Sequence, residues 1–172
     1  MHKYVVSKLK KIEMFNIFRK SKSSSSKVPN RIQIMRMEDY HTHYLGKLEN
    51  GKLFFGYETW AFKKPLSEIP EELKEGNRID FSIVYLFNKK GEFLEHKFWS
   101  TELENERYKT SEKLEELIAE LGKLNYCDIE VELFELEING IKFGLIPNGE
   151  SIDLQPSSTI SFQEPWDGEY YT

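Results

Sequence analysis

An α+β fold dominated by antiparallel strands follows from three observations. Asn-Gly or Asn-Lys-Lys-Gly turn signals recur between runs of alternating apolar residues. One stretch, residues 110–124, carries an apolar stripe at helical spacing. The chain has 172 residues, a length that one hydrophobic core can serve. Together they predict a twisted sheet or open barrel of about seven strands with that one main helix packed on it.

The chain begins with a segment of different character. Residues 1–30 carry eight Lys or Arg and one acid, Glu13, a net of about +7; the rest carries 24 − 8 = 16 basic and 29 − 1 = 28 acidic residues, about −12. The two parts meet at "KSKSSSSKVPN", whose small polar residues and like charges read as a linker. The expected organisation is a basic, Ser-rich disordered tail and linker over 1–30 and a single α+β domain over 31–172. Within the tail, Val5, Leu9 and Ile12 approach helical spacing between lysines. A weak membrane-surface contact by residues 4–19 therefore stands beside the plainer reading of a frayed end. "MFNIFRKSK", from Met14, also reads as the natural start of a small bacterial protein, which makes the first 13 residues an upstream extension.

From Arg31 onward the signals are mostly β. Asn50-Gly51 separates "YLGKLE" from "KLFFGYETWAF", and Asn88 to Gly91 separates "RIDFSIVYLF" from "EFLEHKFWST". Asn139-Gly140 separates "DIEVELFELEI" from "IKFGLI". Each is a hairpin signal. In the first half of that last pair the alternation slips by one residue: Ile129, Val131 and Leu133 are followed by Phe134, Leu136 and Ile138. A slip turns a strand inside out unless something absorbs it, so a β-bulge is expected at Leu133-Phe134. The helix "TSEKLEELIAELGKL" aligns Leu114, Leu117, Ile118, Leu121 and Leu124, with Thr110 or Ser111 as cap and Gly122 near its end. "IPEELKEGN" reads as a shorter helix, with Pro70 in its first turn and Gly76 as its stop. The last segment, "PSSTISFQEPWDGEYYT", has a short strand near 159–162 and an Asp167-Gly168 turn among Trp166, Tyr170 and Tyr171.

These features narrow the function by elimination. One cysteine, Cys127, excludes an internal disulfide framework and fits a reducing compartment. No apolar run approaches the roughly 20 residues of a membrane span, and Lys8, Lys10, Lys11 and Glu13 interrupt any signal-peptide core. A cytoplasmic location is expected. An acidic body repels phosphate backbones, which argues against nucleic acid as a partner. P-loop, dinucleotide, nucleophile-elbow and zinc-protease signatures do not occur.

"EDYHTHYLG" is the stretch closest to a metal motif, since Asp39, His41 and His43 share a face if they lie on a strand. Its echo of the cupin pattern, through Glu49 and Gly56, fails because Glu49 stands too far from His43 and falls at the Asn50-Gly51 turn. No cofactor or metal is assigned. The aromatic content points elsewhere: 12 Phe, nine Tyr and three Trp exceed what a small core needs, and rings of this kind are enriched at protein interfaces. The profile is similar in style to small acidic accessory proteins of bacteria, such as immunity proteins that neutralise a toxin. That similarity implies a non-enzymatic domain binding a protein partner of basic character. Trp60, Trp166 and Tyr170 are its candidate anchors; Asp153, Glu164, Asp167 and Glu169 are its candidate steering charges. Two further readings are a small-ligand or lipid-binding β-barrel and a metal-dependent enzyme using His41 and His43.

Overall fold

The computed structural model describes residues 28–38, 41–102, 109–157 and 160–172. Eleven strands among them form three antiparallel groups. The largest sheet runs, in order, β5 (Phe93–Ser100), β4 (Arg78–Phe87), β3 (Leu53–Phe62), β2 (Tyr44–Leu48) and β6 (Leu124–Tyr126). The second runs β11 (Ser161–Phe162), β10 (Ser151–Gln155), β9 (Ile141–Asn148) and β8 (Phe134–Ile138). A ribbon pairs β1 (Arg31–Ile34) with β7 (Ile129–Glu132). Two α-helices are described, the four-residue α1 (Lys74–Asn77) and α2 (Thr110–Ala119).

The period of two along β3 and β4 explains how these pieces stack. Phe55, Tyr57, Phe81, Ile83, Tyr85 and Phe87 point to one side of the large sheet. There they share a buried core with Ile32 and Ile34 of the ribbon and Phe143, Leu145, Ile152, Leu154 and Phe162 of the second sheet. Phe54, Val84 and Leu86 point to the other side, where Leu114, Leu117 and Ile118 of α2 cover them. The order of layers is helix, large sheet, then second sheet with ribbon. Strands are antiparallel, as expected, but a single sheet or barrel of about seven strands is not what forms. The physical reason lies in β4, which is apolar on both faces. One ten-residue helix covers only one of them, so a second sheet must cover the other. Each fully buried Phe or Leu in that interior contributes about 1.5–3 kcal/mol.

The three hairpins form where the turn signals stand. At the Asn139-Gly140 tip both residues have positive φ, 51° and 81°, the type I′ geometry whose twist matches the strands it joins. A fourth hairpin, β9–β10, turns at Gly149. The phase slip at Leu133 is absorbed differently from the expected bulge. The strand leaves β1 at Glu132, Leu133 donates its N–H to the Asn30 carbonyl (3.0 Å), and Phe134 enters a new ladder with β9. A change of partner does what an inserted residue was expected to do, and Val131 and Leu136 both reach the same core. A register shift occurs instead between β4 and β5. Leu86 faces Glu95 and Phe87 faces Phe93, so Leu94 is the extra residue and projects to solvent.

The main helix is shorter than its sequence stripe. It ends at Ala119, Gly122 takes a left-handed φ of 81°, and Leu124 opens β6 against Leu48. Neither Thr110 nor Ser111 caps it: Lys109 holds the cap position with no side-chain hydrogen bond capping the helix, and the Thr110 hydroxyl donates to Glu58 (2.8 Å). In "IPEELKEGN", a 3-10 turn at Glu71–Leu73 runs into α1, and Gly76 lies inside the helix rather than stopping it. The packed body starts slightly before residue 31, since Val28 rests on the core and Asn30 bonds Leu133. The tail proper, the contact expected for residues 4–19 and the Met14 start lie outside the described residues. No helix among the described residues is long and apolar enough to cross a membrane.

Candidate functional site

The acidic, aromatic C-terminal segment is laid back on the body. Gly168 accepts a hydrogen bond from the Met35 N–H just after β1 (3.0 Å), and Tyr171 exchanges two backbone bonds of 2.9 Å with Ser161. Between these ties, Trp166 and Tyr170 lie half-buried against the main core, the Tyr170 ring 6.0 Å from Phe162. The Trp166 N–H donates to the Gln163 carbonyl (2.9 Å), closing the turn that carries the indole at a positive φ of 62°. The Gln155-Pro156 and Glu164-Pro165 peptides are cis. Glu164, Asp167 and Glu169 remain exposed around these two rings. Five of the seven candidate residues are thereby gathered on one short segment whose backbone is fixed.

Asp153 is a correction to the steering set. It is only 5% exposed, in the second sheet. Its carboxylate accepts bonds from Asn148 Nδ2 (2.7 Å), Ser151 Oγ (3.1 Å) and Ser161 Oγ (2.7 Å). A carboxylate enclosed in this way joins β10 to the turn before it and to β11; it does not project a field to an approaching partner. The sequence showed the charge of Asp153 and the apolar Ile152 and Leu154 on either side, but not that all three are buried.

Trp60 stands apart from the C-terminal segment, near the end of β3. Its ring packs edge-to-face on Phe62 (centroids 5.3 Å) and lies under the Arg78 guanidinium at 4.9 Å. Arg78 is in turn ion-paired with Asp80 (2.6 Å). A depression of about 570 Å³ opens beside this stack, between the chain leaving β3 and the tip of the β8–β9 hairpin.

The histidine stretch is a turn and not a strand. Residues 41–43 lie in the bend that leads into β2, which begins at Tyr44. His43 Nδ1 lies 2.6 Å from the Glu38 carbonyl, its ring edge-on to Tyr44. Thr42, fully buried, closes the bend by accepting from the Met37 N–H (2.9 Å). His41 and His43 both line an open hollow with Glu38, Glu58 and Ser111, and burial pushes the His41 pKa down. Asp39 lies outside the described residues. Among those described, no three His, Cys, Asp or Glu side chains gather as a metal site.

Two further groups sit in the interior, a tyrosine pair and His96, whose strand also carries Leu94 and Phe98. Tyr57 and Tyr85 place their hydroxyls 3.1 Å apart, and Tyr57 also donates to the Gln155 carbonyl (3.2 Å). Burial raises the pKa of both well above the ordinary tyrosine value. His96 is buried between Phe93 and Phe98, and desolvation lowers its pKa while Glu95 pulls it partly back. Only alternation could have signalled these, and alternation gives a face without saying what meets it.

Fold and surface together define a mostly antiparallel β protein with one helix against its larger sheet. No family model matches the chain, and no curated protein or solved structure matches it significantly.

Proposed function

We propose that the chain is a non-enzymatic, protein-binding domain of the bacterial cytosol, of the immunity type in which a small acidic protein neutralises a partner toxin. The observation that carries this reading is the C-terminal segment, with two half-buried aromatic rings fixed by backbone bonds and three exposed carboxylates around them. A pre-ordered segment loses little further entropy on binding, and aromatic anchors ringed by charge are what protein interfaces favour. The carboxylates would steer a basic partner and Trp166 and Tyr170 would hold it.

The carrier reading is less well supported, since Phe55, Tyr57, Phe81, Phe87 and Phe143 fill the space between the sheets that a ligand would need. The metal-enzyme reading has less support, since His41 and His43 lie in the bend before β2 and not on one face of a strand. The test is capture and cross-linking from source cells with the parent chain and with Glu164→Lys/Asp167→Lys/Glu169→Lys. A partner retained by the parent should associate with the variant at least tenfold more slowly, and the difference should shrink in high salt. A captured protein that binds both chains with the same rate contradicts the reading.

A further inference from the structure

We infer that the hollow at the histidine bend extends the C-terminal surface and takes an arginine side chain of the protein partner. The inference rests on the proposed function for the existence of that partner. The sheet side of the hollow lies on a single face. Tyr44 opposes Gly56 across β2 and β3, and Glu58, two residues on, points the same way. This is the face that α2 covers: Leu114 and Ile118 close over Gly56, and Tyr44 packs beside them. Ser111 and Leu114 from the start of α2, with Glu38, His41 and His43 from the bend, complete a hollow of about 520 Å³. The bend also joins the hollow to the C-terminal segment. The Thr42 hydroxyl lies 3.4 Å from that of Tyr170, and the residues on either side of Thr42 are the two histidines of the hollow. A basic partner held at Tyr170 therefore meets the bend directly.

The groups present in the hollow select its occupant. Glu58 stands on the sheet and Glu38 on the bend, and both are exposed. Glu58 accepts from the Thr110 hydroxyl (2.8 Å) and Glu38 from Arg36 (3.1 Å), and a carboxylate has room for more than one donor. Rings complete the site, His43 lying edge-on to Tyr44 with centroids 4.6 Å apart. Burial raises the Tyr44 pKa, and the charges of Glu115 and Glu58 raise it further, so its hydroxyl lies in the field of both. A guanidinium suits this setting better than an ammonium, because it stacks on a ring while its fork of N–H groups reaches a carboxylate. The fold itself uses the same pairing twice. Arg36 lies 4.8 Å over Tyr126 while bonded to Glu38, and Arg78 lies 4.9 Å over Trp60 while paired with Asp80.

The test needs no knowledge of the partner. The full chain is titrated with the capped tripeptide acetyl-Gly-Arg-Gly-amide, following the His43 and Tyr44 ring signals and the amides of Glu58 and Ser111 by NMR. These signals should shift saturably. Glu58→Gln keeps an oxygen for the Thr110 hydroxyl, Glu115→Gln changes an exposed position, and the two together should weaken binding about tenfold. The counterpart peptide with Glu for Arg should leave the signals in place. At physiological salt the tail variant Glu164→Lys/Asp167→Lys/Glu169→Lys should titrate like the parent, which separates failure of the hollow from failure of the C-terminal surface. Unmoved signals with the arginine peptide, equal binding of the glutamate peptide, or unchanged binding by the glutamine variant would each overturn the inference.

Discussion

Tyr57 and Tyr85 are fully enclosed, yet their hydroxyls are not equivalent. Tyr57 bonds both Tyr85 and the Gln155 carbonyl, whereas Tyr85 bonds Tyr57. Tyr57→Phe strands a buried hydroxyl on Tyr85 and should cost about 1–3 kcal/mol, while Tyr85→Phe leaves Tyr57 its carbonyl and should cost less. Urea unfolding of the two variants and of the double variant checks this; equal costs would mean the Gln155 bond carries nothing. Asp153 gives a second case, because Asp153→Ala deprives three donors of their acceptor at once. The histidines set a pH dependence. Burial lowers the His41 and His96 pKa values from 6.5, so between 6.5 and the folded values the unfolded chain binds protons that the folded chain does not. Their contribution is complete above 6.5 and is lost as pH falls below it. His96→Phe should therefore flatten the slope of unfolding free energy against pH as pH falls below 6.5. An unchanged slope would show that the ring is protonated as readily in the fold as out of it.

At the scale of elements, close approach between backbones decides more than propensity does. Strand β6 can lie beside β2 because position 46 is glycine: a Cβ there would stand 2.2 Å from the Asn125 carbonyl oxygen. Gly46→Ala should push β6 away and expose amides of residues 124–126 to hydrogen exchange, while β3 and β4 stay protected. Uniform protection in the variant would show that β6 yields without separating. The same strand shows why the helix boundary was misread. Leu121 and Leu124 continue the stripe of α2, and periodicity alone has no means of saying that Gly122 turns the chain over into a strand. The hairpin turns were legible because Asn and Gly fix a local geometry. The change of partner at Leu133 was legible only as a slip in phase, since its cause lies in a sheet assembled from distant residues.

Across the whole molecule, the apolar residues on both faces of β3 and β4 stand in the sequence, but sequence cannot say that a sheet covers one face and a helix the other. The candidate surface was legible to the same degree. Glu164, Trp166, Asp167, Glu169 and Tyr170 lie on one segment because they are neighbours in sequence, while Asp153 was misplaced because burial is a property of the fold. Whether that segment is an appendage or part of the body has a direct consequence for how it should be probed. Trp166 and Tyr170 rest on the core, Gly168 is tied to Met35 beside β1, and Tyr171 is tied to Ser161 of β11. Deleting residues 165–172 therefore removes cover from Phe162 and acceptors from the backbone next to β1, and should destabilise the domain by about 2 kcal/mol or more. Reversing the exposed charges of Glu164, Asp167 and Glu169 touches none of those contacts and should leave the melting temperature within a few degrees of the parent. Calorimetry on the two chains separates the alternatives. If the truncated chain melts with the parent, the segment is an appendage and its rings are free to leave the body; if the charge variant melts early, the carboxylates hold the fold and cannot serve as a surface for steering alone.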